Sequence, residues 1–467
     1  LHAIWGLGQI ARGASKKKRA EAMEPVLAHL RDGDSEVRAQ AAKVLGDPPV
    51  SAAVSELIEA LSDAEPRVRY HAAMSLGAIK STDAIPFLVG LLMENNGRDR
   101  HLQHAASTAL WKIEDRAQLV ELSAHPMGAV RMGALLALRR TNDPALERML
   151  FDEDLGIAVE AARAVHDKPI PEAMAALASL ADLYASTSSS DDPRVTPLVR
   201  RIISANQYDD TPEATRRLAS LAANANLPSV VRLDALDALK DRVDPSPRNR
   251  VNGYWRPVGN APRDKAAVHD VLALALPGLA RDPNDDISTA VIELGGMYGV
   301  ALNPDLLFAT VEDSAAAVEL RVASIMQLPE ENAERLRVSL AILLEDAEPA
   351  VRTAARQRLL IFDEASGEEA FLGVLGSGTI VEQQAAIAAL SQTETDRAAA
   401  ALHTLANQRV AGELAPALNL DVLEAEGRSV VEAWFARPSP EVWSVLETGG
   451  DVRLGKHIVQ YHSSASC

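Results

Sequence analysis

The chain reads as an all-α solenoid, about eleven helical hairpins stacked into a superhelical rod, and three observations predict it. A short cassette recurs eleven times in 467 residues: an aliphatic residue, a small residue at +4 and another aliphatic near +8, often with Arg directly after the first. Most intervals between copies fall between 27 and 38 residues, the length of one helix-turn-helix unit. The composition is 47% hydrophobic but only 4% aromatic, so Ala, Leu and Val have to fill a long core, as packed helices allow.

The strong copies are Val37-Arg38 with Ala41 and Leu45, Val68-Arg69 with Ala72 and Leu76, and Val130-Arg131 with Ala134 and Leu138. Val231-Arg232 with Ala235 and Leu239, and Val351-Arg352 with Ala355 and Leu359, continue the series. Weaker copies are anchored at Leu102, Ile157, Val195, Ile287, Leu320 and Val381. Offsets of four and eight put the three positions on one helical face, and the small middle residue admits a neighbouring helix. This predicts that the cassette helix is the buried member of each pair.

A second apolar helix precedes each cassette, as in Val26-Leu27-Leu30, Leu88-Leu91-Leu92 and Leu340-Leu343-Leu344. Pro25 and Pro86 are expected near the starts of two of these helices, where a missing amide hydrogen costs least. Asp34, Asp63, Asp154, Asp313 and Asp346 fall between the two helices and are expected to cap the second one. They mark hairpins, not catalysis.

With these residues in place, the sequence over roughly residues 1–435 resembles the HEAT-repeat family, in which the Asp and the Val-Arg pair recur at these positions. That resemblance implies an Arg ladder along the stack: Arg38, Arg69, Arg131, Arg232 and Arg352. It is specific to an architecture and names no reaction.

The net charge of −18 and a pI near 5.1 argue against a dominant nucleic-acid surface, which needs a basic footprint. The run Lys16-Lys17-Lys18-Arg19 is expected to be a solvated loop between repeats. No stretch of about 18 apolar residues occurs, so no membrane span is expected. The opening residues His2-Ala3-Ile4-Trp5-Gly6-Leu7-Gly8 align with His71 to Gly77 inside a cassette, so the chain is expected to start part-way through a repeat. A targeting sequence or a further domain would then lie upstream, and apolar surface would be exposed at that end.

One interval, the 56 residues between Val231 and Ile287, is too long. It carries roughly 24 extra residues, supplied by the Pro- and Gly-rich segment 241–264. Tyr254, Trp255 and Arg256 at its middle make it the best partner-binding loop, because aromatic residues and Arg are enriched at interaction hot spots. The competing expectation is that Trp255 folds back and pins the loop to the stack. A second, Ser- and Asp-rich loop spans 186–192.

No metal site is predicted. The segment Asp282 to Glu293 spaces oxygens like a calcium loop, but its sixth position is Ile287, where the turn needs Gly. His101 and His104 share a helical face without a third ligand. Neither a nucleophile elbow nor a phosphate-binding glycine loop is present, so no catalytic residue is assigned and the chain's status as an enzyme stays open.

The cadence stops after Ala436, and 437–449 reads as a linker. The closing stretch 450–467 resembles the opening helix of a truncated c-type cytochrome domain. Gly450, Asp451 and Gly455 fit that family's Gly-Asp, three residues, Gly pattern; Val459 replaces the more usual aromatic residue, and Cys467 stands where the first haem-linking Cys would be. Similar cytochrome domains follow HEAT repeats in multidomain dehydrogenase-like proteins of planctomycetes and verrucomicrobia, where a Trp-Arg-Pro element like Trp255-Arg256-Pro257 also interrupts the array. The resemblance implies haem c in the whole protein, electron transfer, an extracytoplasmic place, and a solenoid that acts as a spacer and docking segment between domains. The alternatives are a stand-alone HEAT-repeat module that binds a protein partner, cytoplasmic in that case, and a phycobilin-lyase-like or nucleic-acid-binding HEAT protein.

Overall fold

The computed structural model describes residues 1–186, 192–259 and 263–426. Most of the 186–192 loop, the 437–449 linker, and the residues of the cytochrome resemblance, including Gly455 and Cys467, lie outside the described residues. Among those described, every regular element is a helix, and the chain divides into two compact units, residues 1–209 and 210–467.

The first unit opens with α1 (His2–Gly13), followed by hairpins that pair a leading helix with a cassette helix. The pairs are α2 (Lys16–Ala28) with α3 (Ser35–Leu45), α4 (Val54–Ala60) with α5 (Pro66–Ile79), and α6 (Ile85–Asn95) with α7 (Arg100–Ile113). Next come α8 (Arg116–Leu122) with α9 (Gly128–Thr141), a 3-10 helix (Pro144–Phe151) with α10 (Leu155–Asp167), and α11 (Pro171–Tyr184) with α12 (Val195–Tyr208).

The second unit repeats the scheme. It holds α13 (Pro212–Ala223) with α14 (Ser229–Lys240), α15 (Lys265–Leu279) with α16 (Asp285–Tyr298), and α17 (Pro304–Glu312) with α18 (Val318–Met326). The remaining pairs are α19 (Ala333–Leu343) with α20 (Pro349–Phe362), α21 (Glu364–Leu372) with α22 (Ile380–Leu390), and α23 (Asp396–Ala411) with α24 (Asn419–Ala425).

The cassette period is what buries these helices. Val68, Ala72 and Leu76 of α5 are fully buried, as are Val130, Ala134 and Leu138 of α9 and Val231, Ala235 and Leu239 of α14 to within 1%. Small residues set the spacing between neighbouring cassette helices. A Cβ added at Gly77 in α5 would stand 2.6 Å from the Ala109 Cα of α7, so the two backbones approach as closely as glycine permits. Ser75 Oγ donates to the Ala42 carbonyl of α3 at 2.7 Å, which ties α5 to its other neighbour.

Five Arg ladder residues each tie their own hairpin to the following one. Arg131 donates from Nε and Nη2 to both carboxylate oxygens of Asp152, at 2.7 and 2.8 Å, and from Nη1 to the carbonyls of His125 and Pro126 in its own loop. Arg38 does the same with Asp63 and with the Asp32 carbonyl, and Arg352 with Glu382 and the Asp346 carbonyl. Arg232 reaches Asp282, and Arg69 reaches Glu94 at 2.9 Å. In Arg38, Arg131 and Arg352 one guanidinium thus satisfies carbonyls of its own hairpin turn and neutralises an acid of the following one.

Several details differ from the sequence expectation. Lys16 to Arg19 are the first turn of α2 and not a loop, because only Ala14 and Ser15 separate α1 from α2 and Lys and Arg are good helix formers. Pro25 therefore lies inside α2, whereas Pro86 stands in the first turn of α6. Asp34 and Asp154 cap their helices, but Asp63, Asp313 and Asp346 sit upstream of the cap and accept a loop N–H instead. Asp63 and Asp346 are the acids that receive Arg38 and Arg321. Hydrogen bonds from these guanidiniums hold both carboxyls below the ordinary carboxylate range. In α22 the anchor Val381 is exposed, and Glu382, Ala386 and Leu390 occupy the buried cassette positions. The period survives there with a carboxylate in the aliphatic position, which Arg352 and Arg356 neutralise.

Candidate functional site: the loop between α14 and α15

Residues 241–264 connect α14 to α15, and the described part of this segment is an ordered hairpin built from Arg and Asn side chains. Its root is pinned by Arg242, which is fully buried and donates to Thr215 Oγ1 and to the Thr211 carbonyl, both at 3.0 Å. Returning chain closes the base: the Arg263 N–H donates to the Val243 carbonyl at 2.9 Å. Beside it the Tyr298 hydroxyl of α16 donates to the Leu239 carbonyl at 2.9 Å.

A second clamp holds the arm. Arg250 Nη2 donates to the Asp237 carbonyl at 2.8 Å and to Asp241 Oδ2 at 2.6 Å. Burial beneath this arm pushes the Asp237 carboxyl above its ordinary value, opposed by Arg250 and Lys240. The tip is a turn organised by buried Asn249, whose side-chain oxygen accepts from the N–H groups of Val251 and Asn252. The Asn249 N–H donates to the Tyr254 carbonyl at 2.9 Å, the Gly253 N–H to the Asn249 carbonyl at 2.8 Å, and Arg248 bridges Trp255 across the two arms. Gly253 has φ +70°, a left-handed position that glycine takes without strain.

This framework leaves the two aromatic side chains outside. Tyr254 is 65% and Trp255 60% exposed, so Trp255 does not fold back onto the stack. Arg256 is half-buried beside them, its N–H donating to the Pro247 carbonyl at 2.7 Å. An exposed Trp on a mobile loop would be ordinary; two adjacent large aromatics held outward by a pinned backbone are not.

The structure also contains a hydrogen-bonded Asp-His-Ser array that sequence spacing did not reveal. His166 Nδ1 lies 3.0 Å from Asp167 Oδ1 and Nε2 lies 2.9 Å from Ser204 Oγ. Hydrolytic triads share that order of contacts. Ser204 is only 1% exposed and His166 fully buried, however, so the hydroxyl has no access to a substrate carbonyl. Arg201 holds both Asp167 oxygens, at 3.0 and 2.9 Å, and the array fastens α10 to α12. Its chemistry is that of a satisfied buried network.

The remaining sequence candidates have structural partners. Asp282 of the calcium-like segment pairs with Arg232 and accepts the Asn284 N–H, while Asn284 caps α16. His101 and His104 are exposed on α7. Among the described residues no group of three or more His, Cys, Asp or Glu is placed to hold a metal ion, and no helix is long and apolar enough to cross a membrane.

One family comparison agrees with the architecture. Residues 23–111 match the family model of HEAT repeats. A search of curated proteins gave no match. Among solved structures, importin beta in a polyethylene glycol condition is 13% identical with a TM-score of 0.49, covering 99% of this chain and 73% of that one. The Kap95:Nup1 complex is 14% identical with a TM-score of 0.39, over 93% of this chain, which spans only 64% of the matched chain's length. The complex of CpcE and CpcF of phycocyanin lyase from Nostoc sp. PCC7120 is 23% identical with a TM-score of 0.25, over 47% of this chain and 87% of that one. The hairpin geometry and the family match together make the described chain an all-α solenoid of HEAT-like helical hairpins, with a HEAT-repeat region at residues 23–111.

Proposed function

We propose that this chain is a non-catalytic docking scaffold that holds a protein partner through the Tyr254-Trp255 tip. One observation carries the reading: an adjacent Tyr and Trp, 65% and 60% exposed, on a hairpin whose backbone is pinned by Arg242, Arg250 and Asn249. Rigid aromatic side chains lose little conformational entropy on binding and bring large contact area. The test is affinity enrichment from lysate of the source organism with the full chain and with the Tyr254→Ser/Trp255→Ser variant. A partner retained by the first and depleted at least ~10-fold by the second, equivalent to about 1.4 kcal/mol, supports the reading. Equal recovery by both chains removes it.

A second reading places the scaffold in a redox protein, on the Gly450, Asp451, Gly455 and Cys467 pattern. Under it, Cys467 is the first haem-linking Cys, haem c is carried by residues beyond it, and the protein works outside the cytoplasm. The solenoid then sets the separation between a substrate-oxidising domain and the haem. Coding sequence past Cys467 decides it: two arbitrary residues followed by Cys and His support covalent haem, and any other continuation removes the redox reading.

A further inference from the structure

The cleft between the leading helices α17 and α19 is a second, independent surface in the second unit. In this unit α13 packs directly on α15, whereas α17 and α19, like α15 with α17 and α19 with α21, make little direct contact. The gap is an apolar groove of about 580 Å³ floored by Val311, Ser339 and Leu343. Val338 and Ile342, one turn apart on α19, form its wall and are 52% and 68% exposed.

Arg335 divides this groove from a neighbouring pocket of about 360 Å³ that is backed by Phe308. Its guanidinium lies 4.0 Å from the Phe308 ring centroid, 3.0 Å from Asp305 and 3.7 Å from Glu312. Around it the rim carries Asp305, Glu312, Glu331 and Glu334, four acids against one Arg, in a chain of net charge −18. At the closed end sits Arg321, 4% exposed, which pairs with Asp346 at 2.5 Å. Its Nε–H is buried and makes no hydrogen bond among the described residues.

We infer that this groove docks a basic amphipathic helical segment of a partner protein. Aliphatic side chains at helical spacing would cover Val338 and Ile342 and fill the groove, and Lys or Arg on the flanks would meet the four rim acids.

The experiment is fluorescence anisotropy of the full chain with a labelled peptide of about 16 residues, Leu at i, i+3, i+4 and i+7 and Lys elsewhere. The controls are a scrambled peptide of the same composition and one with Glu in place of Lys. The inference predicts that the amphipathic Lys peptide binds at least ~10-fold more tightly than either control. Val338→Ser/Ile342→Ser, both exposed positions, should weaken it at least ~10-fold with the circular dichroism unchanged, and Glu312→Gln/Glu334→Gln should lower both affinity and salt dependence. Tyr254→Ser/Trp255→Ser should leave binding as it is, which separates this groove from the loop. Equal binding of the scrambled peptide, absence of binding, or indifference to Val338→Ser/Ile342→Ser would each overturn the inference.

Discussion

Removing one rung of the Arg ladder tests how these hairpins hold together. Arg131 and Asp152 side chains are 10% and 7% exposed, and the guanidinium makes two bonds to Asp152 and two to the carbonyls of His125 and Pro126. Arg131→Ala leaves a carboxylate and two carbonyls at the junction of α9 and α10 without their donors, although Asp152 keeps the Asp154 N–H. Breaking a buried ion pair costs about 3–5 kcal/mol, and because water can enter the space vacated by the long side chain the lower end applies, about 3 kcal/mol. Native-state hydrogen exchange should then show opening of α9 and α10 favoured by roughly a hundred-fold, since about 1.4 kcal/mol is tenfold. Protection in α20 should be unchanged, because each hairpin is stabilised by its neighbours alone. Replacing both partners, Arg131→Met with Asp152→Leu, should recover most of the loss. A loss below about 1 kcal/mol, or an equal loss in α20, would refute the nearest-neighbour argument.

Two further outcomes follow from the packing and the charges. Gly77→Ala should destabilise the α5 to α7 contact by about 1–3 kcal/mol despite alanine's better helix propensity, because its Cβ meets backbone at 2.6 Å; urea unfolding equal to or better than the parent would contradict this. Glu382, buried against Arg352 and Arg356, has its carboxyl held far below the ordinary carboxylate range, first by the Arg352 hydrogen bond and against the cost of burial. The carboxylate is the form bound in the folded state, so its contribution is complete above the unfolded value of about 4.3 and fades as pH falls toward the folded one. With Glu382 intact, the stability of α20 to α22 should therefore fall more steeply below pH about 4.3 than that of neighbouring hairpins, and Glu382→Gln should flatten that dependence while costing about 3 kcal/mol at neutral pH.

The cassette was legible because a 3.6-residue period carries its own evidence: Val68, Ala72 and Leu76 specify one face whatever lies around them. The positions of Arg38, Arg131 and Arg352 were legible by resemblance, but not the acids they reach. Asp63 and Asp346 look like helix caps in sequence, and only the turn geometry shows them two residues upstream, where they serve the Arg 25 residues before them. That repeated 25-residue offset is a signal the sequence contains. Glu382 was missed since a period search scores aliphatic anchors and passes over a carboxylate on the same face. In the 241–264 loop, Pro and Gly announce irregular chain, and Asn252-Gly253 announces a turn. Whether Trp255 faces in or out depends on the clamps of Arg242 and Arg250, which are long-range contacts with no local signature. The α17 to α19 cleft is a gap between elements, and a gap has no residue pattern.

The scaffold reading meets its most direct test when Trp255 is replaced by a photo-crosslinking amino acid in the source organism and the adducts are mapped by mass spectrometry. The account predicts crosslinks to a single partner protein at a defined peptide, absent when the same photo-crosslinker stands at buried Leu138. Crosslinks from position 255 only into the hairpins of its own chain would contradict it.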